Sequence, residues 1–339
     1  MSAPRVLVAP DAFKGTFAAA EVADAVARGL ERAEALADVC PLADGGEGTA
    51  DALLRALGGR VAAAPAHDPL GRPLDAAFAL LGAGGRRACV ETAAASGLTL
   101  LRPGERDPWA ASTYGTGELI AAALDASAEE VLVAAGGSAT VDGGAGALAA
   151  LAERRGEGPD ALGGARLVVL CDVRTPWERC AELYGPQKGA DTMLVQRLAA
   201  RLDARAGALP RDPRGVPMGG AAGGLAGALW AAHDAELVAG APFVLDAAGF
   251  GARLRGAAAV VCGEGRLDVQ SAEGKLVAEV ARRAAVAGVP AIALAGAVAL
   301  APDDWRALGL ADAIAASTLP ELEAAGERIG ARLAGARGG

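Results

Sequence analysis

Of the 32 lysines and arginines in the chain only three are lysine, Lys14, Lys188 and Lys275, and each stands beside a glycine, in FKG, QKG and GKL. Asparagine is absent altogether. A bias of this kind turns generic positive charge into arginine, so a surviving lysine marks a place that needs a compact ammonium rather than a planar guanidinium. The acids able to work with these lysines fall in short turns: Asp44 and Glu47 in DGGEGT, Asp142 in GGSATVDGG, Asp172 after an apolar run, and Glu264 and Asp268 in GEGRLD. Arg266 sits between the last two, with Ser271 and Lys275 just beyond. Acids, cations and repeated glycine are the inventory of phosphoryl transfer, in which catalysis is mainly positioning and charge neutralisation.

The elements that must carry these residues alternate in the manner of a parallel α/β sheet. A strand is expected over 5–9 and an alanine-rich helix over 16–36 with Thr16 as its cap, followed by a strand near 38–42 that runs into DGGEGT. From residue 60 to 91 Pro and Gly punctuate strand-like runs, which reads as an antiparallel meander. Parallel character returns with strands at 130–135 and 166–170 and a helix over 192–206. It continues with a strand at 257–261 opening into the turn 263–268, a helix over 274–287 and a strand at 291–294. Five turns (11–15, 44–49, 136–144, 172 and 263–268) therefore fall at carboxyl ends of strands, where open α/β sheets bind ligands. Glycine in such turns lets backbone N–H groups approach an anion, and a following helix N-terminus favours negative charge.

The expected fold is two-domain α/β. A Rossmann-like parallel α/β/α domain would be built from residues 1–60 and 255–339. An inserted α/β domain with antiparallel strands would span 61–254, with 130–172 open to either. The 339 residues, 53% of them hydrophobic, supply enough core for both. A formal net charge of −9 argues against nucleic acid as a partner. No apolar run reaches the length of a membrane span and the N-terminus shows no signal peptide. The five cysteines are dispersed without a CxxC pair, as in reduced cytoplasmic proteins. The two histidines, His67 and His233, lie outside the glycine turns, which disfavours a histidine base or a zinc centre. Neither a Walker A pattern nor a strand–GxGxxG–helix unit is present, which weakens P-loop and dinucleotide readings.

The motifs DAFKG, PLADGGEGT, DPLGRP, ETAAASGL, STYGTGELI, GGSATVDGG, YGPQKGA, GAAGGLAGAL and GEGRLDVQSAEGK, in this order, resemble the bacterial glycerate kinase family of the glycerate 2-kinase type. The resemblance runs from residue 10 to about residue 294. It implies ATP-dependent phosphorylation of D-glycerate to 2-phosphoglycerate, with Mg²⁺, on a two-domain α/β fold with a discontinuous nucleotide-binding-like domain. The chain departs from the family's pattern at Val141, where Asn is usual, at Thr92, where Met is common, and around Trp177, Glu178 and Arg179. The segment after Gly146 is also shortened. These departures bear on substrate identity more than on the kinase class.

Within that resemblance Asp268, Lys14 and Asp44 are the expected catalytic residues, Asp268 as general base or metal ligand. Arg266 suits bidentate capture of the glycerate carboxylate, with Glu47, Ser271 and Lys275 as further substrate contacts. Gly45, Gly46, Gly136, Gly137, Ser138 and Thr140 would form the phosphate nest together with Lys188. Asp142, Asp172 and Glu264 are the metal candidates. Each has a plainer alternative: Asp44 or Thr49 as a helix cap, GGSATVDGG as a close-packed turn, Asp172 as a cap, Lys188 in an ordinary loop. A kinase of another small hydroxy or sugar acid, and a non-catalytic ligand-binding relative, are the competing functions. The sequence leaves a homodimer open.

Overall fold

The structure, a computed structural model, describes residues 3–156, 158–272 and 275–335. The chain divides into two compact units, one formed by residues 1–44 and 241–339 and the other by residues 45–240. The chain passes from one unit to the other inside DGGEGT and again between Gly240 and Ala241, against boundaries expected at 60/61 and 254/255. The segment 130–172 belongs to the second unit.

The first unit holds β1 (Arg5–Pro10), β2 (Leu36–Val39), β9 (Ala259–Leu267), β10 (Ala291–Val298) and β11 (Leu310–Ala315). They form one sheet in the order β11-β10-β9-β1-β2, parallel throughout. Strands this apolar are dictated by burial on both faces. Val6, Val8, Ala259, Val261, Ile292 and Leu294 pack in one core with the helices Ala19–Arg32 and Leu319–Gly335. The helix Leu276–Val286 packs on β9 and β10 outside that core. Three expectations shift here. The first helix begins at Ala19, because the Thr16 hydroxyl instead donates to the Phe13 carbonyl at 2.7 Å. It ends at Arg32 before Glu34 takes a positive φ, so that pairing with β1 begins at Leu36, ahead of the expected 38–42, and the Cys40 and Leu42 N–H groups continue it to the Val8 and Pro10 carbonyls at 2.8 and 2.9 Å. The turn expected over 263–268 is largely strand, since β9 stays paired with β10 as far as Leu267. Of the helix expected over 274–287, Gly274 lies outside the described residues.

The second unit carries β3 (Gly59–His67), β4 (Pro73–Leu81), β5 (Arg87–Glu91), β6 (Glu130–Ala134), β7 (Arg166–Cys171) and β8 (Glu236–Ala239) in that order across one sheet. β3, β4 and β5 pair antiparallel, as the Pro/Gly punctuation predicts, and β5 to β8 pair parallel. Its core gathers Val131, Val133, Leu167 and Val169 with Leu119 and Ile120 of the helix Tyr114–Asp125 and Leu225 and Leu229 of the helix Leu225–His233. Among the described residues no helix is long and apolar enough to cross a membrane.

The closest helix crossing in the first unit depends on missing side chains. A Cβ at Gly29 would collide with the Glu323 carbonyl oxygen, and one at Gly326 with the Val26 carbonyl oxygen. These obstacles are backbone, so they cannot turn aside. Gly326→Val should therefore lower stability by about 1–3 kcal/mol through overpacking. Thermal unfolding would register the loss, and an unchanged melting temperature would contradict this account of the crossing.

Candidate active site

Strand order reverses in the sheet of the first unit. The chain leaves β1 for β2 on one side, while β9, on the other side of β1, is followed outward by β10 and β11. Loops leaving the carboxyl ends of β1 and β9 therefore diverge and leave a crevice. A cavity of about 320 Å³ lies there, lined by Asp11, Lys14, Asp44, Glu264, Arg266, Asp268 and Lys275 among others. The backbone closes its floor: the Asp11 N–H donates to the Gly263 carbonyl at 2.8 Å, tying the first loop to β9.

Three of the carboxylates are pressed into this floor around cations. Asp11 and Asp44 are only 4% and 2% exposed. The Lys14 ammonium reaches Asp44 Oδ2 at 3.3 Å from the open side. Burial raises the pKa of Asp11 well above the usual carboxylate range; the Asp44 charge pushes the same way, as does Glu264, while Lys14 and the Ala12 N–H oppose. Glu264 is raised by burial and by Asp44, against the Ser271 hydroxyl, Lys275 and Lys14. Among the described residues its buried Oε1 has no hydrogen-bond partner. Carboxylates that shift one another upward inside a cleft are a physical mark of a working site.

Around this floor the remaining residues of the segment take distinct positions. Ser271, expected to touch substrate, is fully buried; its hydroxyl accepts the Asp268 N–H at 3.0 Å and shapes the turn beneath the cavity. Arg266 and Asp268 stand at the exposed rim and face each other at 3.4 Å. Lys275 occupies the N-cap position of the helix Leu276–Val286 without a side-chain cap hydrogen bond, near enough to Glu264 to oppose its raised pKa.

In the second unit the glycine turns meet at the carboxyl ends of β6 and β7. The Gly136 N–H donates to the Gly45 carbonyl at 3.3 Å, and a Cβ at Gly136 would strike Gly46 and crowd Asp172. Beyond Gly137, Ser138 and Thr140 rest on Lys188, whose ammonium donates to Ser138 Oγ and to the Thr140 carbonyl, each at 2.8 Å. Lys188 is 4% exposed, and burial pulls its pKa down to about 8 against Cys180, Asp172 and Asp142.

Asp142, expected as a metal candidate, accepts four hydrogen bonds from the protein. Its Oδ2 accepts the Thr113 N–H and hydroxyl and the Gly146 N–H, and its Oδ1 accepts the Gly144 N–H. This carboxylate anchors the helix Ala145–Arg155 and the approach to Tyr114–Asp125. Among the described residues no group of three or more His, Cys, Asp or Glu side chains is arranged to hold a metal ion. Glu47 is exposed.

Two residues stand out that the sequence reading left off its site. Asp11 was visible within DAFKG as an acid at a strand end. Glu91, in ETAAASGL, accepts the Ala50 N–H at 2.8 Å and so caps the helix Thr49–Leu57, the task expected of Asp44 or Thr49. Thr49 instead donates to the Gly46 carbonyl at 2.7 Å. A second cavity, of about 330 Å³, is bordered by His67, Glu118 and Arg154, where the buried Glu118 accepts from Arg154 at 2.6 Å and lies 2.9 Å from His67 Nδ1.

Comparison with known proteins identifies the family. The model of the glycerate kinase family matches residues 6–161 and 155–335. A glycerate kinase from Bacillus subtilis is 38% identical over 329 residues, covering 87% of this chain and 85% of its own. The glycerate 2-kinase from Escherichia coli is 35% identical over 324 residues, covering 86% of this chain and 85% of its own. A crystal structure from Salmonella typhimurium LT2, provisionally described as glycerate kinase 2, superposes with a TM-score of 0.80 at 33% identity, covering 99% of this chain and 100% of the other. The chain belongs to the glycerate kinase family and is an enzyme of that kind.

Proposed function

We propose that the protein transfers the γ-phosphoryl group of ATP to D-glycerate, giving 2-phosphoglycerate and ADP. The observation that carries this reading is the crevice between β1 and β9, where buried acids and three cations line one small cavity. Arg266 offers a planar fork for the substrate carboxylate, with Lys275 beside it. Lys14, held by Asp44, offsets charge on the oxygens in flight. The glycine turns Gly45–Gly46 and Gly136–Gly137, with the backbone around Ser138 and Thr140, supply N–H groups suited to the ATP phosphates, while the buried Thr140 hydroxyl donates inward to the Ala222 carbonyl at 3.5 Å.

The substrate hydroxyl oxygen attacks the γ-phosphorus, the bond to the ADP oxygen breaks, and the hydroxyl proton passes to a carboxylate. Asp268 at the rim and Asp11 on the floor are the two candidates. Burial raises the proton affinity of Asp11 above the usual carboxylate range, the direction a proton acceptor needs. Mg²⁺ is usually held by one or two carboxylates together with substrate phosphates, so its use requires no three-acid cage, and none is present among the described residues. Glu264, with its unpartnered buried oxygen, and Asp44 fit that donor set. Bound there, the ion would neutralise phosphate charge. Asp172, half-buried beside the glycine turns, remains the metal candidate of the second unit.

ADP release should depend on both D-glycerate and Mg²⁺-ATP, and added enolase should convert the product directly without a mutase. Lactate, tartronate and glyceraldehyde as acceptors test the competing substrates; a chain that releases ADP with one of these and not with glycerate belongs to a different substrate class. Lys14→Ala and Asp268→Ala should each lower kcat/KM, Lys14→Ala by roughly 100-fold, the size of one lost charge-stabilising contact. Full activity in both variants would refute this site.

Asp11 allows a stability test with a definite sign. Its folded pKa is raised, so between the ordinary carboxylate value and the folded one the native state binds more protons than the unfolded state. Stability therefore falls as pH climbs through that window, and above it the buried charge is a standing penalty. Asp11→Asn should accordingly melt higher than the wild type at pH 7 in Mg²⁺-free buffer while turning over more slowly. A lower melting temperature would show that the charge is stabilising in place.

A further inference from the structure

Lys188 was expected to meet the nucleotide, yet its ammonium lies beneath the turn 136–144 and spends two of its three N–H groups on that turn. We propose that Lys188 is a positioning residue, an internal strut whose ammonium holds Ser138 and the Thr140 carbonyl in place and thereby fixes the phosphate-facing amides of the turn. The proposal deepens the phosphate-binding role given to these glycines, and its kinetic part rests on that role.

The surroundings leave the ammonium little else to do. Lys188 ends the 3-10 turn Pro186–Lys188, and Gly189 follows at φ +104, a conformation that turns the chain back at once. The side chain thus enters the interior directly from its backbone. Other ties hold the far side of the same turn. Leu98 N–H donates to the Gly137 carbonyl at 2.9 Å, and Ala139 N–H to the Ser96 carbonyl at 2.8 Å. Farther along the turn, Asp142 takes the amides that follow it. Lys188 alone, among the described residues, supports both Ser138 and Thr140 by side-chain donors from below. Its lowered proton affinity is the expected mark of a cation kept inside rather than presented to a phosphate.

Arginine cannot substitute, because a fork of five donors would need acceptors that two oxygens do not supply. A neutral chain of the same length leaves both oxygens without a donor, which loosens the turn without removing packing volume. Lys188→Met therefore separates charge from packing.

Amide hydrogen exchange should be followed on full-length wild type and Lys188→Met without substrates, with kinetics measured on the same preparations. The expected result is exchange at least tenfold faster across 136–144, little change elsewhere, and an ATP KM raised about tenfold or more with a smaller loss in kcat. Lys188→Ala should regain part of its activity with added propylammonium and none with propanol. Unchanged exchange across 136–144 in Lys188→Met would overturn the proposal; if activity falls nevertheless, the lysine acts on the substrate directly. Exchange needs no substrate, so a protein that failed to phosphorylate glycerate would refute the functional reading while leaving the strut to be judged by exchange alone.

Discussion

Burial of carboxylates at the carboxyl ends of β1 and β9 is the constraint on which the first unit depends. A parallel sheet covered on both faces must be apolar along its strands, so polar chemistry is confined to the strand ends. There burial first, and the Asp44 charge after it, raise the proton affinity of Asp11 and Glu264. Lys14 and Lys275 reduce that cost without abolishing it, and the chain as a whole carries a formal charge of −9. The cations of this cavity therefore act against a negative background, where each one matters more than it would on a basic surface. An anionic substrate could be accepted only by groups concentrated in this way.

The second unit meets the mirror-image problem. A buried cation replaces the buried anions, and its proton affinity is lowered where theirs is raised, both by the same loss of hydration. Around it the turn is tied from several directions, by the main chain of 96–98, by Lys188 and by Asp142. A glycine-rich turn has the largest backbone entropy to lose on ordering. Ties of this number are what such a segment requires if its N–H groups are to point at a ligand before the ligand arrives, which is the condition for effective electrostatic stabilisation.

The parts of this arrangement that were legible in the sequence are those written in local chemistry. Glycine-bearing turns after apolar runs, the antiparallel meander and the helix Thr192–Ala206 could be read directly, because composition and periodicity determine them over a few residues. What escaped depends on partners distant in the chain. GEGRL looks like loop, yet pairing with β10 makes it strand, a case of tertiary context overriding propensity. Asp142 looks like a ligand until Thr113, far away in sequence, is seen to donate to it twice. The passage between units falls inside DGGEGT because Glu91 from β5 caps the helix that follows, drawing Thr49–Leu57 toward the second sheet. Asp11 is legible in DAFKG as an acid at a strand end, but only the depth of its burial separates it from an ordinary turn acid.

The departures from the family's usual motifs also become interpretable as packing. Val141 and Trp177 were separate anomalies in the sequence, one in the glycine turn and one in the altered middle segment. In the structure they belong to a single apolar cluster with Cys180, Leu198 and Leu202, and the Trp177 indole N–H donates to the Leu202 carbonyl at 3.1 Å. An amide at 141 would sit within that apolar cluster and would need a partner there, whereas valine needs none. A tryptophan at 177 fills the volume against which that valine rests. The two changes support each other beneath the turn, and neither Val141 nor Trp177 lines the charged cavity of the first unit. Their divergence is thus explained by how the turn is propped, and it supplies no reason to expect a substrate other than the one the charged cavity suits.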